Sequence, residues 1–490
     1  MTAVKRTAAR PRGVLGRRQT RVGLALIVAG ISLVIFVSVR AAPNGGGWRN
    51  PLSSALAIAL LVAILAQTTK VQRLGVGDVR SPSALTIGLS YVIIGVILPA
   101  TAIAVGGLDI EDRLLLPDLH RPAAAVWLWC LGFSFAFAAY AMVIARPVPR
   151  FRLNHRQVVA ARLETAFVIG LIVSIVNRLA RGRSIDGRAD LPALLAPFEQ
   201  VIGYGQSLAL LAIAGLASLP QRRYHLTARV MVVAAAALGF SEGFFKPSVW
   251  AILAYVLGRG LSPNVATSGT KTTSRWRKTV RVLGAAGLVI VIIPMVQASR
   301  GVNEAPSGDT SLRSAYSASW GSGFTTGWNS FTTKALGRQA SVLAGTGRAV
   351  DRVPNPVPFR GLDEMLLVPT YSIPRAVWPS KPSLSTGVEV SIEFFDHPAS
   401  TRSSSSLTTF GDAYWYSGLR SLILAGILVG GVMGLMDAGL RSRAAAVCRI
   451  AVLPLVVDFD TSFAQWIVGA VQGLVVVYLM ALAVSRSIRS

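Results

Sequence analysis

Charge is what this chain most conspicuously lacks. Of 490 residues only 14% are charged, and the acids are the scarcer sign, 22 against 49 Lys and Arg. A soluble domain carries about 25% charged residues, so an ordinary water-soluble globule is excluded. Cysteine is scarce too: Cys130 lies inside an apolar run and Cys448 beside one, so no disulfide framework is expected. The four histidines, His120, His155, His225 and His397, are too scattered for a metal site. There is no P-loop, no HExxH, no CxxC pair and no GxGxxG after a strand. Nucleotide-driven, zinc-hydrolase and dinucleotide chemistry of the familiar kinds are therefore not indicated, and no cofactor is expected. No solenoid repeat or inverted duplication is visible either, which counts against a transporter built from two matching halves.

Long apolar runs take the place of the missing charge, giving a mean hydropathy of +0.54. Spanning about 30 Å of hydrocarbon takes about 20 apolar residues in a helix. Twelve spans are predicted, at 22–39, 52–67, 83–105, 123–145, 163–179, 195–218, 228–240, 246–258, 282–298, 414–438, 444–457 and 463–484. The fold class is thus all-α, a polytopic membrane protein with about 12 transmembrane helices. The first run follows Lys5, Arg6, Arg10, Arg12, Arg17 and Arg18 as in a signal peptide, but no small-x-small cleavage site follows it. It is read as a retained helix behind a basic tail, residues 1–21.

The net charge of +27 suggests nucleic acid until its distribution is considered. The basic residues form short clusters between apolar spans rather than a stripe, so they report topology. Alternate connections hold Lys70, Arg73 and Arg80; Arg146, Arg150, Arg152, Arg156 and Arg162; Arg222, Arg223 and Arg229; and Lys271, Arg275, Arg277, Lys278 and Arg281. Arg441, Arg443, Arg449, Arg486 and Arg489 continue the set, which places both termini in the cytoplasm. The other connections face outward, Asp109, Glu111, Asp112 and Asp118 marking one of them. Another breaks the rule, with Arg178, Arg181, Arg183 and Arg188 against Asp186 and Asp190. It is either a tolerated departure or an external anion site.

An N-terminal bundle, 22–298, is followed by one large extracytoplasmic loop, 299–413, and by C-terminal helices and a short tail, 414–490. From Arg300 to Asp412 the loop holds ten Lys or Arg and nine Asp or Glu, and its apolar stretches, such as Met365 to Val368, predict a partly helical cap. Ser403 to Ser406 reads as a mobile tip.

Two strings in this region carry chemistry. The first is Tyr371-Ser-Ile-Pro-Arg-Ala-Val-Trp-Pro-Ser-Lys-Pro382; the second, Phe410-Gly-Asp-Ala-Tyr-Trp-Tyr-Ser-Gly-Leu419, runs into a span. Together they resemble the O-antigen polymerase and oligosaccharide repeat-unit polymerase family. Ile373, Pro374, Arg375, Trp378, Pro379, Lys381 and Pro382 match that family's late-loop string, and Gly411, Asp412, Tyr414 and Gly418 match its helix-opening string. The hairpin Gly239 to Lys246 departs from it, with Lys246 standing where relatives often carry Arg. The resemblance in motif covers about fifty residues and implies a membrane glycosyltransferase fold. The implied partners are undecaprenyl-diphosphate-linked oligosaccharides at the outer leaflet of a bacterial plasma membrane.

The chemistry of that role needs cations where a diphosphate departs and a base for the acceptor hydroxyl. Arg300, Arg375, Lys381, Lys246 and Arg178 are the candidate pyrophosphate ligands, the alternatives being interface anchors or structural ion pairs. For Lys246 the competing role is an i,i+4 pair with Glu242. Trp378 is the candidate sugar-stacking residue, or an interfacial tryptophan. Asp412, His397 and Glu389 are the candidate acid–base groups; a helix cap is the alternative for Asp412, and a solvated surface for Glu389, Glu393, Asp396 and His397. Asp458 and Asp460 read as ordinary outer-turn charges, and Glu199 and Asp437 as residues near span ends. A ligase moving finished glycan, a flippase for lipid-linked sugars and a non-catalytic scaffold compete with the polymerase. A flippase should carry more ionisable residues within its spans.

Overall fold

The structure is a computed structural model that describes residues 28–36, 51–76, 82–98, 122–146, 156–181, 204–241, 246–262, 337–373, 377–378, 386–396, 398, 407–440 and 442–487. It is overwhelmingly helical. In chain order the helices are α1 (28–36), α2 (Pro51–Val76), α3 (Ala84–Val92, continued by a π turn Ile93–Ile97), α4 (Pro122–Ala145), α5 (Ala160–Arg181), α6 (Gly205–Ser218), α7 (Arg222–Ser241) and α8 (Lys246–Gly260). After them come α9 (Gly337–Arg352), α10 (Leu362–Leu367, continued by a 3-10 turn Val368–Ser372), α11 (Thr386–Phe395), α12 (Thr408–Ser417), α13 (Leu419–Gly439), α14 (Arg443–Val456) and α15 (Phe463–Ala483). Among the described residues, helix covers at least part of each predicted span except the ninth, 282–298, which falls wholly outside them. Among the described residues, four helices are long and apolar enough to cross a membrane, within Ala55–Gln72, Ala124–Ala145, Leu419–Gly439 and Phe463–Ala483.

Local chemistry sets several boundaries. Ser83, Ser442 and Ser462 each turn a side-chain oxygen to the backbone N–H three residues on, starting α3, α14 and α15. The span predicted as continuous over 414–438 is broken. Gly418 adopts φ +66°, a conformation glycine tolerates and L side chains resist, and α12 folds back there against α13.

The core is built on α4, a helix apolar on all sides that buries Trp127, Trp129, Phe133, Phe137 and Tyr140. α13 packs along it through Gly426, Gly430 and Gly434; a Cβ on Gly430 would overlap the Ala136 carbonyl. Small residues let the two backbones approach, which suits helices whose surroundings offer no hydrophobic contrast. Outward faces carry apolar residues at helical spacing, such as Val168, Ile172 and Ile175 on α5, Leu226, Val230 and Val233 on α7, and Val471, Val475 and Leu479 on α15. Such faces have no reason to look at water and every reason to look at lipid.

Two three-residue strands, Arg156–Val158 (β1) and Ser485–Ser487 (β2), pair antiparallel and form the one sheet among the described residues. They tie the start of α5 to the end of α15, and Arg162 adds bonds to the Ala483 and Ser485 carbonyls at 3.0 and 3.1 Å. Arg259 meets His225 at the same end, joining the end of α8 to the start of α7. This basic end therefore gathers Arg156, Arg162, Arg259 and Arg486 among the described residues.

At the opposite end lie α9 to α12. α9 is wedged into the bundle rather than resting on it. Thr346 accepts from Trp129 Nε1 at 3.2 Å and shares a hydrogen bond with Thr408 at 2.7 Å. The 3-10 turn reaches further, since Gln472 donates to the Ser372 carbonyl at 2.7 Å and accepts from the Tyr204 hydroxyl at 3.2 Å. Gln472 stands about 14 Å along α15 from Phe463 at 1.5 Å per residue, so this segment enters between the helices.

Candidate functional site

The end opposite the arginine-rich connections holds three groups of ionisable side chains, built from segments far apart in sequence. The first is centred on Arg360. Its backbone N–H donates to the Trp415 carbonyl at 3.3 Å, and the Gly361 N–H donates to the Tyr416 carbonyl at 2.8 Å, docking 358–361 on the last turn of α12. Trp415 Nε1 returns a bond to the Pro358 carbonyl at 3.1 Å. So held, the guanidinium lies 3.7 Å from the centroid of the Trp415 ring, where cation–π attraction and desolvation favour Arg over Lys. It pairs with Glu389 and, at 3.9 Å, with Glu364. Glu389, a predicted acid–base residue, is thus a partner of Arg360 from α11.

The second group is Asp412. It is fully buried, in the middle of α12, and accepts from the Phe463 N–H at 2.9 Å. The residue that the sequence places at a helix N-terminus does cap one, but the helix is α15, not its own. Oδ1 has no partner among the described residues. Burial pushes the carboxyl up to about 6, against the opposing pull of Arg360 and the α15 N–H groups. With no exposed surface, Asp412 acts by positioning the loop that precedes α15.

The third group is Lys246, at the start of α8, with Asp458 and Asp460 from the loop between α14 and α15. Lys246 Nζ contacts the Asp458 carboxylate and lies 3.2 Å from Asp460 Oδ2; the Tyr91 hydroxyl donates to Asp460 Oδ1 at 2.7 Å. The two aspartates expected as ordinary turn charges are instead drawn into the protein, their side chains only 23% and 20% exposed. Burial and the neighbouring Asp460 hold the Asp458 carboxyl up, at about 7; Asp460 is held low, at about 2, by hydrogen bonds from Asp458 and Tyr91 and by Lys246. Lys246 is thus paired with these aspartates; Glu242, its predicted i,i+4 partner, lies outside the described residues.

Loop 457–462 links the second and third groups. The Thr409 N–H donates to the Phe459 carbonyl at 2.9 Å and its hydroxyl to the Thr461 carbonyl at 3.0 Å. Phe459 stacks between Phe410 and Trp466, with ring planes 14° and 11° from parallel. The loop is therefore held from both sides.

Of the other predicted residues, Trp378 is half-buried and follows the segment anchored by Ser372. Arg178 lies near the C-terminal end of α5, its side chain outside the described residues, and Arg300, Arg375, Lys381 and His397 are outside them as well. Of the expected acid–base cluster, Glu389 pairs with Arg360 and Asp396 with Arg352, two different partners. Arg352 binds the Asp396 carboxylate and the Glu393 carbonyl, and Arg348 donates to the Phe394 carbonyl at 2.7 Å, so the end of α11 is fastened to α9. Among the described residues no group of His, Cys, Asp and Glu is placed to hold a metal ion.

Sequence reasoning missed Arg360 and misjudged Asp458 and Asp460. The local signals were slight: Arg360 has Glu364 four residues on, and Asp458-Phe-Asp460 is an acidic pair between apolar runs with no base close by in sequence. Comparison with protein-family models, curated proteins and solved structures returned no match.

Proposed function

We propose that this chain is a membrane glycosyltransferase that polymerises undecaprenyl-diphosphate-linked oligosaccharide repeat units into a cell-surface polysaccharide. It works at the outer face of the bacterial plasma membrane, with about twelve spans, both termini in the cytoplasm and residues 299–413 outside. The family resemblance of the two strings motivates the reading. The observation that supports it best is chemical: buried or half-buried cations and carboxylates gather where those strings meet the bundle, at the end opposite the arginine-rich connections.

In this reaction the acceptor hydroxyl attacks C1 of the donor sugar as the C1–O bond to the diphosphate breaks. The electron pair leaves with the diphosphate, and fixed cations at that point lower the barrier more than they stabilise the ground state. Arg375, Lys381 and Arg300 are assigned to the diphosphate, Trp378 to a sugar ring, and Arg360 to fastening α11 beside Trp415 through Glu389. The energy is carried in the activated lipid, so the reaction requires no nucleotide outside the cell.

The test uses the native substrate. Cells deleted for this chain should accumulate short lipid-linked oligosaccharide, and that extract, supplied to the purified protein in liposomes, should be lengthened. A folded protein that leaves the oligosaccharide unchanged would remove the polymerase reading. Transfer of whole glycan to another acceptor would indicate a ligase.

One observation favours a transporter as the second reading. Asp437, expected near a span end, is completely buried against Arg449, so ionisable groups lie deep at both ends of the bundle. Movement of lipid-linked sugar between leaflets of the same liposomes, without lengthening, would select it.

A further inference from the structure

We propose that Asp458 accepts the proton of the attacking hydroxyl, oriented for it by Lys246, Asp460 and Tyr91; this rests on the polymerase reading. In the balanced step the acceptor O–H bond breaks, its oxygen bonds to donor C1, the C1–O bond to diphosphate breaks with its electron pair, and the proton passes to an Asp458 carboxylate oxygen. It leaves for solvent before the next turnover.

Three features of the site carry the assignment. First, access: the Asp458 and Lys246 side chains retain 23% and 37% of their exposure, whereas Asp412 is sealed. A base must touch its substrate, so Asp458 qualifies geometrically and Asp412 does not. Second, charge: one ammonium faces two carboxylates, so the triad is one positive charge short of balance, and in a poorly solvated place a proton makes up the difference. Third, asymmetry decides which carboxylate takes it. Asp460 accepts from both Lys246 and Tyr91, at 3.2 and 2.7 Å, and stays ionised; Asp458 lacks the phenol. Its carboxyl is accordingly poised near neutral pH, where a general base works best. The groups facing it are Lys246 from α8, Tyr91 from α3, Asp460 from its own loop and, through the loop held at Phe463, Asp412 from α12. Asp458 is also fixed in place, because Thr409 and the Phe410–Phe459–Trp466 stack grip Phe459 and Thr461, which follow it.

The experiment uses the full chain in liposomes with the lipid-linked oligosaccharide extracted from the deletion strain. The wild-type rate should fall as pH drops below neutrality. Asp458→Asn should lower kcat by about a hundredfold or more, the scale of a lost general base, with little change in KM and no pH dependence in that range. Asp458→Glu should restore part of the rate with a displaced pH profile. Asn at the wild-type rate, or with the wild-type profile, overturns the assignment. If Asp458→Asn does not fold, Asp458→Glu decides: an unchanged profile overturns it and a displaced one supports it. A wild-type protein that lengthens nothing discards the polymerase reading and this assignment together, a result seen before any variant is made.

Discussion

Two ionic sites at opposite ends of the bundle use the same residue types to different ends. Near the basic end Arg449 faces Asp437 at 2.7 Å, and the Asp437 carboxylate also accepts from the Tyr140 hydroxyl and the Ala84 N–H, each at 3.0 Å. One cation meets one anion, and both are sealed, with side-chain exposures of 2% and 0%. At the other end Lys246 meets two carboxylates and part of each side chain reaches solvent. A closed and balanced pair joins α3, α4, α13 and α14 and has no means of exchanging a proton or a ligand. An open and unbalanced triad can do both, at some cost in stability. Balance and access, rather than burial alone, separate the structural site from the chemical one.

The largest effects should come from breaking the closed pair. Asp437→Asn leaves Arg449 charged and enclosed, so it should destabilise the protein by about 3–5 kcal/mol. That would appear as a lowered thermal midpoint in detergent or as loss of folded material. Replacing both partners by apolar residues, Asp437→Leu with Arg449→Met, should recover most of that loss, since no unpaired charge remains.

The next effect sharpens the contrast through pH. The Asp458 carboxyl is raised in the folded protein, to about 7 from an ordinary 3.8. Its protonated form is therefore favoured by folding, and its contribution to stability is complete below about pH 4 and lost as pH rises through 7. Asp460 shifts the opposite way, to about 2, and loses its contribution only as acid approaches that value. Thermal midpoints should consequently fall between pH 5 and 8, and Asp458→Asn should flatten that slope. A slope unaltered by the substitution would assign it to other groups.

Smaller effects belong to the ties around the site. Arg360→Lys keeps the charge but loses the planar stack on Trp415, and should cost about 1 kcal/mol, measurable by unfolding in detergent. Gln472→Leu removes the bridge between Tyr204 and the Ser372 carbonyl, again worth about 1 kcal/mol. It should also increase protease cleavage near residue 373. An unchanged cleavage pattern would mean that the 3-10 turn is held by packing alone.

How far the sequence was legible depends on the range of the interaction concerned. The helices over 52–67, 123–145 and 463–484 were readable because apolar composition over about 20 residues suffices to specify them. The caps Ser83, Ser442 and Ser462 are local as well, but hydropathy does not register them and the structure identified them. The break at Gly418 was harder, since a lone glycine in an apolar run is ambiguous until α12 is seen packed against α13. Asp412 was expected to head its own span, but it lies in the middle of α12 and accepts from the first N–H of a helix that starts 51 residues later. Glu389 was chosen as a free acid because Arg360, its partner 29 residues away, does not adjoin it in sequence.

Composition and the spacing of apolar runs, by themselves, determined a helical chain with segments able to cross a membrane, because the burial of backbone and side chains in lipid depends on what each segment contains. The basic clusters between runs add an expectation of which connections share one side of the membrane. Only the tertiary structure decided that Lys246 would face Asp458 and Asp460 across 212 and 214 residues, and that Arg449 would lie sealed against Asp437. Ionic pairing is decided by which helix faces meet, and those meetings follow from close packing of small residues such as Gly430 on Ala136, which no local pattern records.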